Sequence, residues 1–182
     1  MKKVAILALL ALGLTISGCG NGISKYTTTT TAGGYWEAQF TGGIGPASLL
    51  TFVTQFNVTV TTGANAQPLD VTSFSFINAG TCFANGAKTS TETGSATLNA
   101  STTGAVTGSM TYTVTSVTNP GTTLTLTSNN GVTGTTNGVV GTNGTLSNGV
   151  VQGTWTLTST STGCNGGGDF LMCQGAATCT VP

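Results

Sequence analysis

The sequence contains no histidine and no arginine among its 182 residues, and 4% of them are charged against about 25% in ordinary globular chains. Each absence removes a class of chemistry. Without histidine, Ser-His-Asp and Cys-His sites are excluded in their usual form, and Lys88 is the one amine of the folded region available as a substitute base. Without arginine, and with Lys25 and Lys88 the only lysines after residue 18, there is no basic patch to neutralise phosphates, so nucleic acid is not an expected partner. No apolar run approaches the roughly 20 residues of a membrane-spanning helix. No useful length of sequence follows the helical period.

The carboxylates are equally sparse. Glu37, Asp70, Glu92 and Asp169 are the complete set, and glycoside hydrolysis would need two of them roughly 5–9.5 Å apart across a cleft. Their spacing gives no reason to pair any two, and the expected roles are strand ends and turns. Asn165-Gly166-Gly167-Gly168-Asp169 offers one carboxylate to a cation such as Ca²⁺ that takes about six to eight oxygens, so a loop between Cys164 and Cys173 is expected instead. No cofactor, metal site or catalytic residue is expected, and the chain is read as a non-enzyme. With so few titrating groups, its stability is expected to vary little between mildly acid and neutral pH.

What is present begins at the amino terminus. Lys2 and Lys3 precede thirteen uncharged residues, Val4 to Ile16, which end at the small residues Ser17 and Gly18 and then Cys19. This is the layout of a signal peptide. Ile16-Ser17-Gly18-Cys19 resembles the lipobox of bacterial lipoproteins, and the resemblance covers residues 1–19 alone. It implies cleavage before Cys19, lipid attachment to Cys19, and a membrane partner held through that lipid. More than one acyl chain is needed for stable anchoring when each buried CH₂ contributes about 0.8 kcal/mol. Gly20, where an aspartate would resemble an inner-membrane retention signal, implies the outer membrane, on its periplasmic face or at the cell surface.

Residues 19–33, with five consecutive threonines from Thr27 to Thr31, read as a flexible tether. Residues 34–182 read as a single β domain. Four cysteines remain, Cys82, Cys164, Cys173 and Cys179, an even number in an oxidising compartment. Three connectivities are open; Cys82 with Cys164 and Cys173 with Cys179 is the favoured one.

From Gly34 the hydrophobic period is two. Trp36, Ala38 and Phe40 form one inward face; Leu50, Phe52, Phe56, Val58 and Val60 a second; Phe74 and Phe76 a third. Ala96 with Leu98, Met110 with Tyr112 and Val114, Leu124 with Leu126, and Trp155 with Leu157 continue the series, each interleaved with hydroxyl or amide residues. One face is core and the other wet, as in an antiparallel sheet. Asn85-Gly86, Asn130-Gly131, Asn137-Gly138, Asn143-Gly144 and Asn148-Gly149 supply the positive φ of type I′ hairpin turns. The expected fold is an all-β antiparallel meander of about eight to ten strands, a closed up-and-down, lipocalin-like barrel being preferred to a β-sandwich because closure removes edges.

Gly104–Thr113 aligns without gaps on Gly149–Thr158. The pattern predicts a bend or bulge at the second glycine, Gly108 or Gly153, before a core-facing Met110 or Trp155. In its composition, and in Gly34-Tyr35-Trp36 at its start, the domain is similar to charge-poor, Gly/Thr-rich β lipoproteins that environmental bacteria export. That similarity implies no site residues. The expected role is a structural or interaction module at the cell envelope, bound to an unspecified protein. A barrel holding a small apolar ligand, lined by residues such as Trp36, Phe74, Tyr112 and Trp155, is the alternative, and a carboxylate-dependent hydrolase is third.

Overall fold

The computed structural model describes residues 30–42, 50–60, 66–84, 89–101, 103–137 and 144–175. Cys19, Lys25, Lys88 and Cys179 lie outside them. Eleven strands form one sheet: β1 (Thr30–Thr31), β2 (Tyr35–Gly42), β3 (Thr51–Asn57), β4 (Thr59–Val60), β5 (Gln67–Pro68), β6 (Asp70–Asn78), β7 (Ser90–Ala100), β8 (Ala105–Ser116), β9 (Thr123–Asn137), β10 (Gly144–Thr158) and β11 (Gly166–Gln174). Neighbours run in the order β5-β7-β8-β9-β10-β11-β2-β3-β6, every one of these pairs being antiparallel. The meander is what alternating Thr and apolar residues produce when each hydrophobic face must turn the same way.

The two ends of this order meet in one stretch of chain. Gln67 and Pro68 pair with Ala96 and Ser95 of β7, and the Leu69 amide donates to the Gly94 carbonyl at 2.9 Å. From Asp70 the same stretch pairs with β3 instead. The sheet is therefore a partial ring, joined at Gln67–Leu69, and beyond that point β6 and β7 diverge with no ladder between them among the described residues. Every strand expected from the period of two is found, and its inward residues are buried, Phe74 alone being only partly so.

The interior is filled. Trp36, Phe52, Phe56, Tyr112, Trp155 and Phe170 are among the largest fully buried side chains, and all belong to one hydrophobic cluster. Trp36 stacks on Phe56 with centroids 5.1 Å apart, and Phe40 meets Trp155 edge to face at 5.8 Å. The mouth toward which β6 runs is covered by the residues that follow it, where Ala79, Cys82 and Phe83 are buried and Phe83 packs on Phe76 at 4.8 Å. Cys82 is disulfide-bonded to Cys164, between β10 and β11, so the cover is stapled across the ring. Cys173 is disulfide-bonded as well.

The opposite end receives the amino-terminal chain. Thr30 and Thr31, read from composition as part of the tether, form a strand parallel to β10 and antiparallel to β4, and Ala32 is buried. This edge was available because β2 and β11 begin and end short of β4 and the start of β10. Gln174 locks the junction: its amide nitrogen donates to the carbonyls of Gly33 (2.6 Å) and Leu146 (2.8 Å), and its oxygen accepts from the Gly149 amide (3.0 Å).

Two sequence expectations are corrected. Asn130-Gly131 and Asn148-Gly149 are not hairpin turns but irregularities inside the 15-residue strands β9 and β10. Asn137 and Gly144 do bound the β9–β10 connection, and Asn85-Gly86 is outside the described residues. Between Val132 and Ser128, β9 advances four residues while β10 advances two, from Val151 to Gly153. Against β8 it advances five, Val132 to Thr127, while β8 advances three, Gly108 to Thr111. The register break does fall at the second glycine of each copy, with Met110 and Trp155 buried behind it, but the extra residues belong to the shared strand β9. Gly131, at φ +81°, makes that bulge, and a Cβ there would meet the Gly108 carbonyl. The Ser128 hydroxyl accepts from the Met110 amide at 2.6 Å, replacing the ladder bond the bulge removes.

The second correction is β11. Gly166-Gly167-Gly168-Asp169, read as a loop, is part of a central strand between β10 and β2. Gly168 is required by the Trp155 indole, which crosses the strand to donate to the Thr41 carbonyl at 3.0 Å. A Cβ on Gly168 would collide with that carbonyl and come within 3.0 Å of the indole nitrogen.

Candidate functional site

The candidate site is the cleft where β6 and β7 part. It has a volume of about 500 Å³ and is lined by Val71–Phe74 of β6, Ser90–Glu92 of β7, and Val117 just after β8. Its size is within the roughly 300–1,000 Å³ of small-molecule sites. The cleft exists because the chain from Gln67 to Asn78 changes partners: bonded to β7 at its start, it is drawn to β3 from Asp70 onward. A register break between Gln55 and Phe56 accompanies that change.

Phe74 forms the inner wall. It lies opposite Thr54, only partly buried, with ring centroids 4.8 Å from Phe52, 5.0 Å from Phe76 and 6.5 Å from Tyr112. Aromatic surface therefore continues from the cleft into the core. Behind it, Thr54 donates its hydroxyl proton to the Ser73 carbonyl (3.1 Å), which leaves its oxygen to accept from the Tyr112 hydroxyl (2.7 Å). Burial pushes the Tyr112 phenol well above its ordinary range; the Thr54 hydrogen bond opposes the shift, and the negative charge of Glu92 adds to it.

Glu92 is the one ionisable side chain lining the cleft among the described residues. It pairs across to Val114 and shares the inward phase of β7 with Ala96 and Leu98. The Ser90 hydroxyl donates to its Oε1, its only hydrogen-bond partner among the described residues. This residue's position was legible as a carboxylate in step with core residues, a signal the search for paired acids passes over.

The other acids stand apart. Asp70 is exposed and outside the cleft lining, where β6 begins. Asp169 faces Thr41 and Glu37 faces Cys173 on the β2–β11 ladder, four residue pairs apart, or about 13 Å at 3.3 Å per residue. Among the described residues, then, Glu92 is the one carboxylate that lines the cleft. The aromatics suggested as a cavity lining are instead packed against one another, Phe74 being the member that reaches the cleft. No family model, no curated protein and no solved structure matches this chain.

Proposed function

We propose that the protein is an exported lipoprotein, anchored through Cys19 to the outer membrane, whose β domain is a structural or interaction module and not an enzyme. The carrying observation is the polarity of the domain. The chain enters at β1, at the end where Gln174 ties Gly33 to Leu146, while the β6–β7 cleft widens toward the opposite, disulfide-covered end. A lipid on Cys19 would hold the first end toward the membrane and leave the cleft facing away. The filled interior favours work done at the surface over work done in a central cavity.

Mass spectrometry of the mature amino terminus tests the anchor: an acylated Cys19 is expected, and Cys19→Ser should leave the membrane fraction. An unmodified Cys19 at the mature terminus, or a Cys19→Ser variant that stays with the membrane, would refute it. A second reading, a carrier of small apolar ligands, is favoured by the cleft with its partly buried aromatic wall, Phe74.

A further inference from the structure

We propose that the β6–β7 cleft binds a small organic ammonium ion bearing an aryl or alkyl group, with Glu92 as counter-ion and Phe74 as the apolar wall. The proposal rests on the second reading above and names its ligand class. Glu92 is partly withdrawn from water beside Phe74, Val71 and Val117, and one of its oxygens already accepts from Ser90. An apolar ligand entering the cleft strips water from that carboxylate and returns nothing, a cost set by burying charge without a partner, and a neutral hydroxyl returns a hydrogen bond but no opposite charge. An anion adds repulsion. A cation replaces the lost water with a charge-assisted hydrogen bond.

The remaining chemistry of the cleft points the same way. Phe74 lines the cleft, and an aromatic ring attracts a cation held over its face. Ser73, Ser90 and Thr91 provide neutral oxygens for further N–H donors. No lysine or arginine is among the described residues, so none of the cleft's described walls carries a competing positive charge. Val117, 56% exposed, stands at the rim as an apolar contact for the ligand's hydrocarbon part.

The test uses the full-length protein in nanodiscs of zwitterionic lipid, with empty discs as control, titrated with 2-phenylethylammonium, 2-phenylethanol and 3-phenylpropanoate and followed by ligand-observed NMR. The ammonium ion should bind at least tenfold more tightly than the alcohol, and the carboxylate most weakly. Glu92→Gln, which keeps the side-chain shape, should bring the ammonium ion to the alcohol's affinity and leave the alcohol unchanged. Val117→Trp, at the exposed rim, should obstruct all three ligands without entering the core. Equal binding of alcohol and ammonium ion, or undiminished ammonium binding by Glu92→Gln, overturns the charge assignment while leaving a small-ligand site standing. Failure of all three to bind overturns the small-ligand reading and this proposal with it.

Discussion

Replacing Gln174 by alanine removes three hydrogen bonds at the place where the amino-terminal chain joins the ring. Two carbonyl acceptors and one amide donor require the NH₂ on one side of the side chain and the oxygen on the other. Each bond contributes about 0.5–1.5 kcal/mol net. The half-buried Gly33 carbonyl recovers part of this from water, whereas Leu146 and Gly149 are buried and recover little, so a loss of about 2–4 kcal/mol is expected. At about 2–4 °C per kcal/mol for a domain of this size, the melting temperature should fall by about 5–15 °C. Urea unfolding followed by the fluorescence of Trp36 and Trp155, both buried, measures the loss directly.

Gln174→Glu sharpens the test, because it preserves the acceptor toward Gly149 but sets an oxygen against the Gly33 and Leu146 carbonyls. The folded state then favours the protonated acid, so its pKa rises above the unfolded value of about 4.3. The penalty is fully present above the folded pKa and is relieved as pH falls through it, down to the unfolded value. The glutamate variant should therefore gain stability relative to the wild type on acidification, while the alanine variant should not. A loss under about 0.5 kcal/mol for Gln174→Ala, or a glutamate variant with no pH dependence, would refute the account of this junction.

Gly168→Ala should cost about 1–3 kcal/mol or more, from the forced displacement of Thr41 or the Trp155 indole; a shifted Trp155 emission with lowered urea midpoint is the expected result. Stability should be flat between mildly acid and neutral pH and should fall above about pH 10, where the unfolded tyrosine ionises and the buried Tyr112 does not, at about 1.4 kcal/mol per pH unit. Tyr112→Phe should cost about 0.5–1.5 kcal/mol at neutral pH, from the lost bond to Thr54, and should flatten that alkaline slope. Breaking the Cys82–Cys164 bridge by a paired serine substitution should cost about 2–5 kcal/mol, seen as a lower melting temperature for the variant without reductant.

The strands that sequence alone reveals are those whose side chains carry the period. Trp36-Ala38-Phe40 and Met110-Tyr112-Val114 alternate with polar partners, and a period of two admits one structure when one face must leave water. The longest strand it hides is β11, because Gly166, Gly167 and Gly168 have no side chains with which to write a pattern. The constraint on Gly168 is imposed by Thr41 and Trp155, 127 and 13 residues away in sequence. Asn130-Gly131 was misleading for a related reason: positive φ is needed equally at a hairpin turn and at a bulge, and only the neighbouring strands decide between them. The cleft was illegible, since it arises from the Gln67–Asn78 stretch exchanging β7 for β3 as its partner.

By itself, then, the sequence determined the all-β antiparallel class, the inward residues of seven alternating segments, the exclusion of histidine- and arginine-dependent chemistry, and the lipobox resemblance at Cys19. These depend on residue identity and on local alternation, which a single chain displays without reference to its fold. Tertiary structure decided that the ring is partial, that Cys82 meets Cys164, that Thr30 and Thr31 leave the tether for the sheet, and that Glu92 turns inward beside Phe74. Those outcomes depend on which strands become neighbours, and neighbours are chosen by the packing of the whole chain.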